Sequence, residues 1–222
     1  MDGTLVDNMA FHGEAWVRFF AELGQEMKAE DFLVKTAGMT NREIFRQIFG
    51  EKITDAQIAR YAERKEELYQ TAFRPHLQAV NGLVDFLEAA QGLGVKMAVA
   101  TSATENNIKF VLDNLDLRRF FQAITGAHEI TNGKPDPEIF LKSAEKLNVE
   151  SKNCLVFEDA FNGFEAAARA EMKSVAITTV NKREILQKLP SVVAVIDDFT
   201  QIQPQTLIEK YLSASAASAL RE

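Results

Sequence analysis

What most constrains this chain is a rhythm that begins near residue 79. Short apolar runs rich in β-branched residues, VKMAVAT, QAITGA, CLVFED, SVAITT and VVAVID, alternate with the helix-patterned stretches GLVDFLEAAQGLG, NNIKFVLDNL, PEIFLKSAEKL and GFEAAARA. Strands buried on both faces read as continuous apolar runs, and strands separated by helices pair side by side in parallel rather than as hairpins. The expected fold is therefore α/β: a Rossmann-like parallel sheet with helices on both faces, carrying its chemistry at the carboxyl ends of the strands.

The first third of the chain obeys a different period. In MAFHGEAWVRFFAEL, Phe11, Ala15, Phe19 and Leu23 recur every four residues and paint one helix face. A second helix is expected after Thr40, where TNRE reads as a cap, and a long one after Thr54, ended by Pro75. Residues 9–78 are thus expected to form a small α-helical domain inserted into the α/β core, which comprises 1–8 and 79–222. The tail SASAASALRE reads as a fraying helix without functional content.

Charge narrows the partners. With 25 Lys+Arg against 32 Asp+Glu the net charge is −7, which argues against duplex nucleic acid or an anionic membrane, since both are normally met by a basic face. A small anion held by a few local cations remains compatible. Neither a membrane span nor a signal peptide is expected, because no long apolar stretch is present; a cytoplasmic monomer is the expectation. The single cysteine, Cys154, lies in an apolar run and reads as a small hydrophobe.

The ends of the proposed strands carry the reactive side chains. ATSAT supplies Thr101 and Ser102, GKPDP supplies Lys134, and FED supplies Glu158 and Asp159. Two adjacent carboxylates at the end of a buried strand repel unless a cation lies between them, and a hard dication such as Mg2+ suits oxygen ligands. A lysine and a hydroxyl can hold phosphate oxygens. At the other end of the chain, MDGTLVD places the Asp2 carboxylate before a Gly-Thr turn, where it can serve as an acid or base.

Taken in order, Asp2-Gly3-Thr4, Thr101, Lys134 and Glu158-Asp159 resemble the four motifs of the haloacid dehalogenase superfamily, in its phosphatase and phosphomutase branch. The resemblance spans essentially the whole chain. It implies a Mg2+-dependent phosphatase acting on a small phosphorylated metabolite such as a sugar phosphate. Asp2 would be the general acid/base, its carbonyl helping to ligate the metal. Asp159 and Glu158 would be metal ligands, and Thr101 and Lys134 would grip the phosphoryl group. The helical insert resembles the family's cap. Within it, His12 and Trp16 follow Asp7 at spacings similar to those of β-phosphoglucomutases, and Lys65 resembles a cap lysine of that group. Asn41 stands where that enzyme has a phosphate-gripping arginine, with Arg42 one position later; a mutase must hold a second phosphate in the cap and a phosphatase need not, so a phosphatase is the first reading and a phosphomutase the alternative activity.

Plainer roles stay open for several of these residues. His12 also reads as a partly exposed helix residue, Trp16 as core packing, Lys65 with Arg64 as a solvated charged face, and Asp7 as a helix N-cap. His76 and His128 read as loop residues without a metal partner, and Gly163 as a point of close approach. One departure stands out: the family's nucleophilic aspartate lies two residues before the acid/base, ahead of Met1, on an apolar strand that is missing from the sheet as written. Both are expected upstream in an intact chain; the alternative is a relative that binds phosphate and metal without turnover.

Overall fold

A computed structural model describes residues 1–36 and 38–211; the tail read as a fraying helix falls in 212–222, outside the described residues. The five runs read from the sequence are strands: β1 (Ala98–Ala100), β2 (Ala123–Thr125), β3 (Leu155–Glu158), β4 (Lys173–Ile177) and β5 (Val192–Ile196). All pairings are parallel, but they form two sheets. β1 pairs with β2, and β3–β4–β5 form the second, with a register shift between Ser174 and Val175. Near the amino terminus, among the described residues, a single bridge joins Asp2 and Val6.

Helices cover both faces, and a short helix, α9 (Arg183–Leu186), lies between β4 and β5 in the chain. On one side α5 (Leu83–Gly92), α6 (Glu105–Asn114) and α10 (Pro204–Tyr211) bury Phe86, Val111 and Leu207 against Val175, Ile177 and Ile196. On the other, α7 (Glu138–Leu147) and α8 (Phe161–Arg169) bury Ile139, Ala144 and Ala166 against Val156. This two-sided cover is why the strands lack alternation. Among the described residues no helix is long and apolar enough to cross a membrane.

Residues before the alternation form a helical unit with its own core: α1 (Met9–Glu22), α2 (Ala29–Thr36), α3 (Asn41–Phe49) and α4 (Asp55–Phe73). Thr40 with Glu43 and Thr54 with Gln57 make capping boxes that start α3 and α4, satisfying amide donors that would otherwise be orphaned. The N-cap of α1 is Asn8 rather than Asp7, and its side chain makes no capping bond because it is used elsewhere. The four helices converge on Trp16, Phe19, Phe20, Phe32 and Phe45. Phe45 is fully buried, with ring centroids 5.3 Å from Trp16 and 5.6 Å from Phe19. Phe45→Ala is expected to cost about 3–5 kcal/mol in urea unfolding through the void it leaves; a loss below about 1 kcal/mol would mean that the unit repacks freely.

Candidate active site

Asp2 lies at the start of a tight turn, with the amides of Thr4 and Leu5 donating to the Met1 carbonyl at 3.2 and 2.7 Å. Gly3 has φ +68, and a Cβ there would stand 2.2 Å from Asp159 Oδ2, so only glycine lets this turn lie on that carboxylate. Thr4 Oγ1 donates to Asp159 Oδ1 at 2.8 Å across 155 positions of sequence. Thr179 Oγ1 donates to the Gly3 carbonyl, and Asn181 Nδ2 to the Asp159 carbonyl at 2.8 Å. Thus the loop after β4 ties the turn to the end of β3.

Glu158 and Asp159 end β3, both buried. Lys134 Nζ donates to Glu158 Oε2 at 2.7 Å, while Glu158 Oε1 accepts the amides of Asp159 and Ala160 at 3.1 and 3.0 Å. A Cβ on Gly163 would fall 2.0 Å from Glu158 Cδ, so the glycine does allow α8 to approach that carboxyl. The two carboxylates diverge. Burial opposes the charge of Glu158, but the Lys134 ammonium and the amide donors outweigh it and hold the group below the usual range. Asp159 is pushed up to about 7 by burial and by the neighbouring Glu158 charge. Thr101, buried at the end of β1, accepts the Ala103 amide at 3.2 Å, and Ser102 Oγ donates to the Gly38 carbonyl at 2.8 Å.

This arrangement fits a hard dication. Lys134 is spent on Glu158, leaving Asp159 a buried carboxylate with a hydroxyl donor and no ion pair among the described residues. No cluster of three or more His, Cys, Asp or Glu side chains forms a cage among those residues; Mg2+, which keeps several waters and needs one or two carboxylates, does not require one.

Because the folded state raises Asp159, its contribution to stability is full below about pH 4 and is lost as pH climbs to about 7. Asp2 and Glu158, both lowered, act only below that window. Without divalent cations, the melting temperature should therefore fall between pH 5 and pH 8 by more than it does in Asp159→Asn. Equal slopes in the two proteins would refute this ionisation.

A second polar chain runs from Asp2 into the helical unit. Asn8 Nδ2 donates to Asp2 Oδ1 and to Tyr69 Oη, each at 2.6 Å, while Asn8 Oδ1 accepts the Gly3 amide at 3.1 Å. His12 stacks on Tyr69 with centroids 3.8 Å apart, its Nε2 3.6 Å from Asp2 Oδ1 and its Nδ1 3.2 Å from Lys65 Nζ. An ammonium has no lone pair to offer, so Nδ1 is the acceptor and Nε2 carries a hydrogen toward Asp2. Burial opposes the Asp2 charge, but the His12 ring, the α-ammonium and the Asn8 amide hold the group well below the ordinary carboxylate range.

Lys65 lies 4.9 Å over the Trp16 ring and pairs with Glu66 Oε1 at 2.7 Å. Glu66 also accepts from Asn41 Nδ2 at 2.8 Å and, across from the core, from Asn107 Nδ2 at 2.6 Å. His12 is thus buried rather than partly exposed. Lys65, 2% exposed, is no solvated face, although neighbouring Arg64 is, paired with Glu22 and Glu67. Trp16 sits in the aromatic core beneath the lysine. Asn41 and Arg42 part company: Asn41 joins the buried chain, whereas Arg42 turns to the surface and binds Asp55 at 2.7 Å. Asn8, Glu66, Tyr69, Asn107 and Asn181 were not singled out from sequence, because a lone amide, phenol or carboxylate on a helix or loop gives no periodic or motif signal.

Comparison with known proteins agrees with this architecture. A model of haloacid dehalogenase-like hydrolases matches residues 1–177. A phosphorylated carbohydrates phosphatase of Thermotoga maritima is 30% identical over 175 residues, covering 79% of this chain and 81% of that protein. A chloroplastic 5-amino-6-(5-phospho-D-ribitylamino)uracil phosphatase of Arabidopsis thaliana is 24% identical over 94% of this chain, which spans 60% of that longer protein. The structure of a β-phosphoglucomutase from Clostridium difficile superposes with a TM-score of 0.81 at 28% identity, covering 95% of this chain and 93% of that one. With the family model spanning most of its length, the chain belongs to the haloacid dehalogenase-like hydrolases, in the phosphoryl-transfer branch of phosphatases and phosphomutases.

Proposed function

We propose that this protein is a Mg2+-dependent phosphatase of small phosphorylated metabolites such as sugar phosphates, working through an aspartyl-phosphate on a carboxylate two positions ahead of Asp2 and hence ahead of Met1. The observation that carries the reading is the meeting of Lys134, Glu158 and Asp159 with the Asp2–Gly3–Thr4 turn. Asp159, Glu158 and the Asp2 carbonyl would hold the ion, which when bound neutralises charge on the phosphoryl oxygens. Lys134 adds a point charge to the same oxygens, and Thr101 a hydroxyl. Asp2, ionised and oriented by Asn8 and His12, takes the proton of the attacking water. Its proton affinity rises when a phosphoryl anion enters beside it, which lets it also deliver a proton to the departing alcohol.

The helical unit would act as a cap that excludes bulk water, with His12, Lys65 and Asn41 facing substrate, Trp16 backing Lys65, and Ser102 steadying the loop at Gly38. Similarity to the β-phosphoglucomutase favours a phosphomutase as the second reading. Against it, Arg42, the cation nearest in sequence to the family's phosphate-gripping position, is committed to Asp55 on the surface. The deciding experiment extends the chain ahead of Met1 by an apolar strand ending in Asp and assays a panel of phosphate esters with Mg2+. Release of inorganic phosphate that EDTA abolishes is expected. No release from any ester would leave the non-catalytic relative as the correct reading, and a rate unchanged when the added Asp becomes Asn would overturn the aspartyl-phosphate mechanism.

A further inference from the structure

The rim of the helical unit rests on the loops that carry the candidate site. The Gly38 carbonyl accepts from Ser102, next to Thr101, and a Cβ on Gly38 would stand 3.3 Å from Lys134 Cβ. Glu43, in the first turn of α3, faces two ways. Its Oε2 accepts the amide and the hydroxyl of Thr40 at 2.7 and 2.8 Å, closing the box that starts its own helix. Its Oε1 crosses to the core and accepts the Gly133 amide at 2.9 Å, over 90 positions of sequence.

That amide belongs to the loop leading into Lys134. Glu138 of α7 holds the two amides before it, those of Thr131 and Asn132, each at 2.9 Å, so the core secures the start of the loop by itself. The next amide, on buried Gly133, has Glu43 as its acceptor among the described residues, and a buried N–H needs one. Backbone conformation does not call for glycine here, since φ lies outside the left-handed region. Close approach does: a Cβ on Gly133 would stand 2.3 Å from Glu43 Oε2. A bond to an ionised acceptor is also stronger than one between neutral groups.

We propose that Glu43 is a positioning residue for Lys134, acting through the Gly133 amide, so that the ammonium is aimed only while the helical unit is seated on the core. Lys134 Nζ reaches Glu158 at 2.7 Å from a backbone whose preceding residue is held by the other unit. Release of Glu43 frees that residue, and small displacements of a charge at a reacting centre are costly. The role given to Lys134 rests on the proposed function; the contact between Glu43 and Gly133 stands without it.

The test compares the 222-residue chain with Glu43→Ala, Gly133→Ala, the double variant and Glu43→Gln. Gly133→Ala strikes the contact from the core side and leaves the α3 capping box whole, so an effect it shares with Glu43→Ala is not one of helix capping. Reductive methylation, read by mass spectrometry, reports the accessibility of each ammonium. Expected is methylation of Lys134 at least about fivefold faster in both single variants. The double variant should be no faster than Glu43→Ala, because the added methyl then meets no carboxylate. Glu43→Gln should stay close to the parent, since its amide oxygen still accepts from Gly133. Lys65, buried in the helical unit, should keep its rate throughout. An unchanged Lys134, effects that multiply in the double variant, or Lys65 accelerating in step with Lys134 would overturn the inference. Should Gly133→Ala fail to fold, the comparison of Glu43→Ala with Glu43→Gln decides. In the chain extended ahead of Met1, both single variants should lower kcat about tenfold at a temperature where all are folded, and Glu43→Gln should restore it. An extended parent that hydrolyses no ester while Lys134 follows the expected pattern keeps the contact and rejects the proposed function. An active parent whose kcat survives both single variants does the reverse.

Discussion

Asp159→Asn in a chain extended ahead of Met1 is expected to lose at least about 10³-fold in Mg2+-dependent ester hydrolysis and, at pH 8 without divalent cations, to melt above its parent. Both effects have one cause. Asp159 is buried beside Glu158, and Lys134 is already committed to Glu158, so ionising Asp159 costs stability that only a bound cation returns. The amide is neutral, of similar shape, and still accepts from Thr4 through its oxygen, so the fold gains while the ion loses a ligand. Melting curves with and without Mg2+ check this apart from turnover: the parent should be stabilised by the ion and the variant should not. Undiminished hydrolysis, or an equal Mg2+-induced shift in both proteins, would remove Asp159 from the metal site.

Lys65→Met should cost as much stability as Phe45→Ala, about 3–5 kcal/mol, because it leaves the Glu66 carboxylate buried without its counter-ion. In a protein of this size that is a drop of roughly 10 °C in melting temperature. The Asn41 and Asn107 amides remain as donors to Glu66 but bring no net charge. Adding Glu66→Gln to Lys65→Met should recover most of the loss, since the amide needs no counter-ion. A double variant no more stable than the single one would show that Lys65 acts by packing over Trp16 rather than by charge.

Legibility in the sequence followed from how local each signal was. The five strands and α5 to α8 were readable because burial on two faces writes unbroken apolar runs, α3 because a Thr with Glu three residues on makes a cap, and α4 because an acid-rich start follows Thr54. α2, α9 and α10 were not read. At eight, four and eight residues they are about two turns or fewer, too short for a pattern to stand out without their packing partners. At the site, Lys134, Glu158 and Asp159 were readable as chemistry at strand ends. The choice between Asn41 and Arg42 was not, because neighbouring helix positions point about 100° apart and only the docked register of α3 decides which one faces inward.

By itself, then, the sequence determined the alternation of elements, the helical insert and the kinds of reactive group available, all of which depend on residues within a turn or two of each other. Only the tertiary structure decided which of those groups meet. It set Asp2 against His12, joined Thr4 to Asp159, tied Glu66 to both the helical unit and the core, and gave the Lys134 ammonium to Glu158 rather than Asp159. These are contacts between residues tens to more than a hundred positions apart, and their partners are chosen by packing and desolvation of the whole fold, which no local pattern encodes.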